Sequence, residues 1–254
     1  GHEWVIRSRS GTLLARMPDG AVYFTQCHWP FLEGDDLTRL PEALAECVWT
    51  GLRSPPGPHA ADSDSLTRGA CGLRERSSRA IVGLFGGNLL EIGAFLYRMD
   101  QFLMLLAGEP SRVHAFLDRL TELHLANLER YLSAVGPFID IVQFGDDLGG
   151  QNGPLISPAM YREFFKPRHK LMWNRARQLA DVKVMLHCCG AVRPLLPDLI
   201  DAGLDAINPV QIAGRGMEAE GLKRDFGAGI TFWGGGCDTQ RILPLATPEE
   251  VRAH

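Results

Sequence analysis

The 254-residue sequence has no Cys-x-x-Cys pair and only six cysteines, two of them adjacent at Cys188 and Cys189. So sparse a set in a large core points to reduced thiols and a cytoplasmic protein, not to a disulfide framework. No apolar run approaches the roughly 20 residues that span a bilayer, so no membrane partner is expected. Basic residues are not in excess: 26 Lys and Arg face 30 Asp and Glu, a formal charge of −4. That balance gives no electrostatic reason to expect nucleic acid or anionic lipid as a partner. No Gly-x-Gly-x-x-Gly follows any strand-like run, which removes support for a dinucleotide-binding fold. Gly1-His2-Glu3-Trp4 carries neither a basic n-region nor an apolar h-region, so no signal peptide is expected at this end.

What is present is ordinary globular composition, 45% hydrophobic and 22% charged, enough for one large core and a single domain over residues 1–254. Residues 3–27 read as a small antiparallel meander. Glu3–Arg9, Gly11–Met17 and Ala21–Cys27 are strand-like, and Ser10-Gly11 and Pro18-Asp19-Gly20 give turn signals. A helix over 37–52 and a loop at Pro55-Pro56-Gly57-Pro58 complete a meander-and-loop excursion spanning 1–60. From residue 66 short apolar strands alternate with helices, which argues for a parallel sheet with crossover helices. The strands are placed at 80–85, 138–144, 182–187, 204–208 and 229–234. Between them lie helices at 66–78 and 89–107, a long amphipathic helix from Pro110, one capped by Ser157-Pro158 with a kink expected at Pro167, and two more at 194–202 and 218–226. Both ends read as cuts, since Thr247-Pro248-Glu249-Glu250 opens a capping box only four residues before the last one.

The unusual polar residues follow the strands directly. Asp146, Asp147, Gln151 and Asn152 follow the second; His187, Cys188 and Cys189 the third; Asn208 and Gln211 the fourth; Cys237 and Asp238 the fifth. In a barrel these ends open on one face, where active sites lie. Side chains alternate along a strand, so His187 and Cys189 point the same way while Cys188 points opposite. His-x-Cys at a strand end can present an imidazole and a thiolate to one cation, a donor mixture that zinc accepts. Cys237 is the candidate third ligand. Asp146 and Asp147 are candidates for a catalytic pair that orients substrate or accepts a proton. Gln151, Asn208, Gln211 and Asp238 are candidates for hydrogen bonds to it. Taken one at a time, such residues also serve as buried thiols, core histidines or loop hydrogen-bonders.

Six segments carry a resemblance to one family. They are Glu3-Trp4-Val5-Ile6-Arg7, Phe144-Gly145-Asp146-Asp147-Leu148-Gly149, Ser157-Pro158-Ala159-Met160-Tyr161, His187-Cys188-Cys189-Gly190, Asn208-Pro209-Val210-Gln211 and Phe232-Trp233-Gly234-Gly235-Gly236-Cys237-Asp238-Thr239-Gln240. The sequence resembles the uroporphyrinogen decarboxylase superfamily, which includes corrinoid-dependent methyltransferases. The resemblance implies a (β/α)8 TIM barrel of which strands three to seven are present, with two strands before Gly1 and the eighth beyond His254.

The two chemistries of that superfamily separate on particular residues. Decarboxylases read Gly-Ala-Pro-Trp-Thr-Leu where this chain has Gly86-Gly87-Asn88-Leu89-Leu90-Glu91, and Phe-Glu-Ser-His-Ala-Gly where it has Phe144 to Gly149. Asp146 in place of that serine adds negative charge beside a polycarboxylate substrate, which is unfavourable. The methyltransferases match at His187-x-Cys189-Gly190, where they bind zinc; their third ligand is a cysteine near the eighth strand. The resemblance therefore implies zinc-dependent methyl transfer to a thiol, from a methylated corrinoid supplied by a partner protein. The alternatives are uroporphyrinogen decarboxylation in porphyrin biosynthesis and a non-catalytic ligand-binding barrel.

Overall fold

The computed structural model describes residues 2–8, 10–47 and 63–254. The Pro55-Pro56-Gly57-Pro58 loop and the end of the helix expected over 37–52 lie outside the described residues; within them a 3-10 turn, Leu37–Arg39, leads into helix α1, Leu40–Ala45. The chain divides into two compact units: Gly1–Pro56 with Leu89–Leu123, and Gly57–Asn88 with His124–His254. Among the described residues no helix is long and apolar enough to cross a membrane.

The first unit contains the expected meander. Strands β1 (Glu3–Arg7), β2 (Leu13–Pro18) and β3 (Thr25–Gln26) pair antiparallel in that order. The third strand is shorter than the sequence suggests: only Thr25 and Gln26 find partners, opposite Arg16 and Ala15, while Val22 and Tyr23 are left exposed. The helical stretch expected over 89–107 is two helices, α3 (Leu90–Tyr97) and α4 (Met99–Gly108), broken where Arg98 takes a φ of 71°. Gly93 of α3 lets the Phe102 ring of α4 approach closely; a Cβ there would sit 2.1 Å from it. Phe102 is fully buried, stacked on Tyr97 and edge-on to Phe116. Asp35 accepts hydrogen bonds from Tyr97 Oη and, at 3.1 Å, from Arg112 Nε. Burial raises its carboxyl pKa, but the bonds from Arg112 and Tyr97 outweigh that and hold it below the usual carboxylate range.

The second unit is built on a five-stranded sheet. Strands β4 (Val82–Gly86), β5 (Ile141–Gly145), β6 (Lys183–His187), β7 (Ala206–Asn208) and β8 (Thr231–Phe232) are all parallel and adjacent in chain order, as the sequence predicts. Helix α2 (Ser63–Arg76) precedes them along the chain, and α5 (Pro110–Val135), α6 (Lys166–Leu179), α7 (Leu196–Asp201) and α8 (Ala219–Phe226) lie between successive strands. Phe85, Val142, Phe144, Val184, Leu186 and Ile207 are buried, whereas Leu84, one residue out of step on β4, is 53% exposed. The buried row packs as aromatics meeting edge to face: Phe85 lies 5.3 Å from Phe144, and Phe144 6.5 Å from Trp173 of α6. The fold is thus α/β, with a parallel sheet in one unit and an antiparallel sheet in the other.

Three local features follow from single residues. Ser157 caps its helix by accepting from Met160 N at 3.2 Å. The distortion expected at Pro167 is a π-helical turn, Tyr161–Phe165, immediately before α6; proline offers no N–H to the helical ladder, and a π turn accommodates the loss. After helix α9 (Ile242–Leu245), Thr247 and Glu250 form the reciprocal capping box that opens α10 (Pro248–Ala253).

Three substitutions check this packing. Gly93→Ala drives a methyl into the Phe102 ring and should lower stability by about 1–3 kcal/mol in denaturant melts. Gly69→Ala, also helical but with open space at its Cβ, should raise it by roughly 0.5–1 kcal/mol. Asp35→Asn should cost about 1–3 kcal/mol at neutral pH. Because the folded carboxyl has the depressed pKa, its contribution is present above the unfolded carboxylate range and lost as pH falls through the folded value. The gap between wild type and variant should therefore close on acidification; a constant gap would contradict the assignment.

Candidate metal centre

The register of the parallel sheet brings three strand ends level. Gly145 of β5 pairs with His187 of β6, and His187 with Asn208 of β7. Whatever follows these residues shares the C-terminal edge of the sheet. His187 and Cys189 project together, as the two-residue alternation requires, with Cys189 Sγ 3.5 Å from His187 Nε2. Asp147, two residues beyond the end of β5, reaches the same place. Among the described residues Asp147, His187 and Cys189 are the one group of three potential metal donors, with ligand atoms all within 4.8 Å of one another and each residue half-buried.

The loop that carries the histidine and cysteine is pinned at every donor. His187 Nδ1 is hydrogen-bonded to Asn208 Oδ1 at 2.7 Å. Cys188 N donates to Asn208 O at 2.7 Å, Cys189 N to Asp147 Oδ1 at 2.7 Å, and Gly190 N to Gln211 Oε1 at 3.0 Å. Gln211 is itself oriented by donating Nε2 to Gln151 Oε1 at 3.0 Å, and Asn208 by donating Nδ2 to Trp233 O at 3.2 Å. Gly190 has a φ of +85° and lies against Gly149, whose carbonyl a Cβ would meet at 2.3 Å, so only glycine fits. Between Asn208 and Gln211 the buried, β-branched Val210 is held at a φ of +61°. Such a conformation costs about 1–3 kcal/mol and persists only where its surroundings over-determine it.

Several expected site residues go elsewhere. Cys237 does not join the group, and Asp147 stands in the third place instead. After β8, Gly234 and Gly235 adopt φ of +125° and +76°; Gly234 packs on the Pro209 backbone and Gly235 N bonds to Pro209 O. This turn leads Cys237 into a loop where its Sγ contacts Asp238 O at 3.9 Å. Asp238 caps its own turn, its Oδ1 accepting from Gln240 N and Arg241 N, and its N–H donates to His254 Nε2. Asn208, Gln151 and Gln211 spend the hydrogen bonds described above on the protein. The acidic pair splits, because neighbouring residues face opposite ways. Asp147 reaches the donor group, whereas Asp146 is completely buried.

Around Asp146 lies a buried polar group that the sequence does not announce. Its Oδ2 is 3.5 Å from His169 Nε2, close enough for charge attraction but not aligned as a hydrogen bond. His169 Nδ1 lies 3.1 Å from Tyr161 Oη, and its ring stacks on Trp173 at 5.0 Å. Burial, and then the charge of Asp146, push the Tyr161 hydroxyl well above its ordinary pKa. Burial likewise pushes up the Cys188 thiol. His124 bonds to Asn88 O at 3.0 Å, and burial lowers it to about 4. His169 and His124 sit singly on long helices with no motif around them; their only signal is a histidine amid apolar helical positions.

The donor set of one thiol, one imidazole and one carboxylate suits a borderline cation such as zinc. The N–H groups of Cys188, Cys189 and Gly190 already donate to protein oxygens, so these three do not form a backbone anion hole.

Comparison with known proteins agrees with this architecture. A methyltransferase from Methanosarcina mazei superposes with a TM-score of 0.61 at 19% identity, over 91% of this chain and 60% of that one. At that identity the likeness is one of fold. None of the curated proteins matches the sequence. The family model described as uroporphyrinogen decarboxylase (URO-D) matches residues 81–254, which includes all five parallel strands and every residue of the donor group. The chain therefore belongs to the uroporphyrinogen decarboxylase (URO-D) family.

Proposed function

We propose that this chain forms part of a (β/α)8 barrel enzyme that transfers a methyl group to a thiol, with zinc held by His187, Cys189 and Asp147. The barrel is supported by five parallel strands adjacent in chain order, with Leu84 on the strand face opposite the buried aromatic row. The observation that carries the function is the convergence of Sγ, Nε2 and a carboxylate oxygen at the C-terminal edge of the sheet, the edge on which barrel enzymes act.

Three protein donors leave a tetrahedral ion one position for an incoming ligand. When bound there, zinc would supply the charge that lowers the pKa of a coordinated thiol. The protein's part is to hold the donors still. Asn208 and Gln211 fix the 187–190 loop, and Asp147 grips Cys189 N as well as offering a carboxylate oxygen. The methyl donor in this reading is a methylated corrinoid carried by a separate protein, and the acceptor a small-molecule thiol that has given up its proton; its sulfur would take the methyl group as the carbon–cobalt bond breaks, leaving that bond's electron pair with the corrinoid.

A second reading, uroporphyrinogen decarboxylation, is favoured by the description of the matching family model. Against it stands Asp147, half-buried in the donor group, whose negative charge opposes a polycarboxylate substrate. Asp146, the residue in place of the decarboxylase serine, is completely buried.

Metal analysis of the purified protein and three variants separates these readings. Wild type and Cys237→Ala should carry stoichiometric zinc, and Cys189→Ser and Asp147→Ala should lose most of it. Affinity should fall as pH drops, because binding displaces the thiol proton. Absence of zinc from wild type, together with carbon dioxide release from uroporphyrinogen, would overturn the methyltransferase reading.

A further inference from the structure

We propose that Asn208 is a positioning residue that locks His187 in its Nδ1–H tautomer, so that the Nε2 lone pair is always presented to Cys189 and Asp147. This deepens the metal reading above, but it concerns the imidazole itself and holds for the zinc-free chain.

The argument runs through a chain of defined donors and acceptors. Trp233 O can only accept, so the Asn208 group that meets it at 3.2 Å is the Nδ2 amide. That assignment turns Asn208 Oδ1, also an acceptor only, toward His187 Nδ1 at 2.7 Å. Two acceptors cannot face each other at that distance, so Nδ1 carries the hydrogen. In the neutral ring Nε2 is then the unprotonated nitrogen, and it is the one 3.5 Å from Cys189 Sγ. The lock does not depend on Asn208 alone. Its backbone O also accepts from Cys188 N at 2.7 Å, and the strained Val210 that follows it is buried. These contacts hold the Asn208 backbone, and so the root of its side chain, beside His187.

The test reads the tautomer by long-range ¹H–¹⁵N NMR of histidine-labelled, zinc-free protein, at a pH where the ring is neutral. Wild type should show His187 as Nδ1–H. Asn208→Leu should shift it to a mixture, Asn208→Asp should restore Nδ1–H, and Gln211→Ala, which loosens the same loop without touching the ring, should leave it unchanged. Zinc affinity should fall about 10–100-fold in Asn208→Leu and recover in Asn208→Asp. Retention of Nδ1–H by Asn208→Leu, or a shift of the same size in Gln211→Ala, would overturn the proposal. Should the tautomer respond as stated while no variant binds zinc, the lock stands and the metal reading falls.

Discussion

The site depends on one requirement: a backbone leaving the end of a strand must find partners for its N–H groups away from water. The β6 strand ends at His187, and the next three residues turn across the sheet edge. Each of their N–H groups is met by an oxygen from a neighbouring element: the carbonyl of Asn208 at the end of β7, Gln211 after it, and Asp147 after β5. An unmet buried donor costs about 1–3 kcal/mol, so this loop and its two neighbours hold one another in place. That mutual satisfaction holds Cys189 where alternation along the chain puts it, beside His187. It also accounts for the arrival of Asp147, whose carboxylate reaches the donor group because it first has to reach Cys189 N.

The same constraint explains where strain is tolerated. Gly190 and Val210 both take left-handed conformations, and both lie within the segments that grip each other. Gly190 does so freely and leaves room for Gly149, where any side chain would collide. Val210 does so at a cost, and its position between Asn208 and Gln211 lets two residues three apart reach His187 and Gly190. Beneath this shell Asp146, His169, Tyr161 and Cys188 are buried, and burial holds Tyr161 and Cys188 protonated. The layer under the donor group thus contributes polar packing without adding tyrosinate or thiolate charge to it.

Much of the scaffold was legible in the sequence because its signals are local and repeated. Short apolar runs between helical stretches fixed five parallel strands in chain order, and Thr247 to Glu250 announced a capping box that forms as read. The third meander strand was over-read: Val22 and Tyr23 have strand-like side chains, but only Thr25 and Gln26 find partners on β2. At the donor group His-x-Cys was legible for the same local reason, since alternation along an extended chain puts residues two apart on one side. Alternation also separates Asp146 from Asp147, although the sequence by itself gave no reason to prefer one of them.

By itself, then, the sequence determined the α/β class, the strand order, the family and the pairing of His187 with Cys189. Tertiary structure alone decided that Asp147 and not Cys237 completes the group, that Asp238 caps its own turn, and that Asn208 faces an imidazole. The physical reason is range. Periodicity and capping act over a few residues and leave their mark in the sequence, whereas the distance between two loops depends on sheet register and on how each loop turns. Here Gly234 and Gly235 carry Cys237 into its own turn, while the level ends of β5 and β6 set Asp147 beside Cys189.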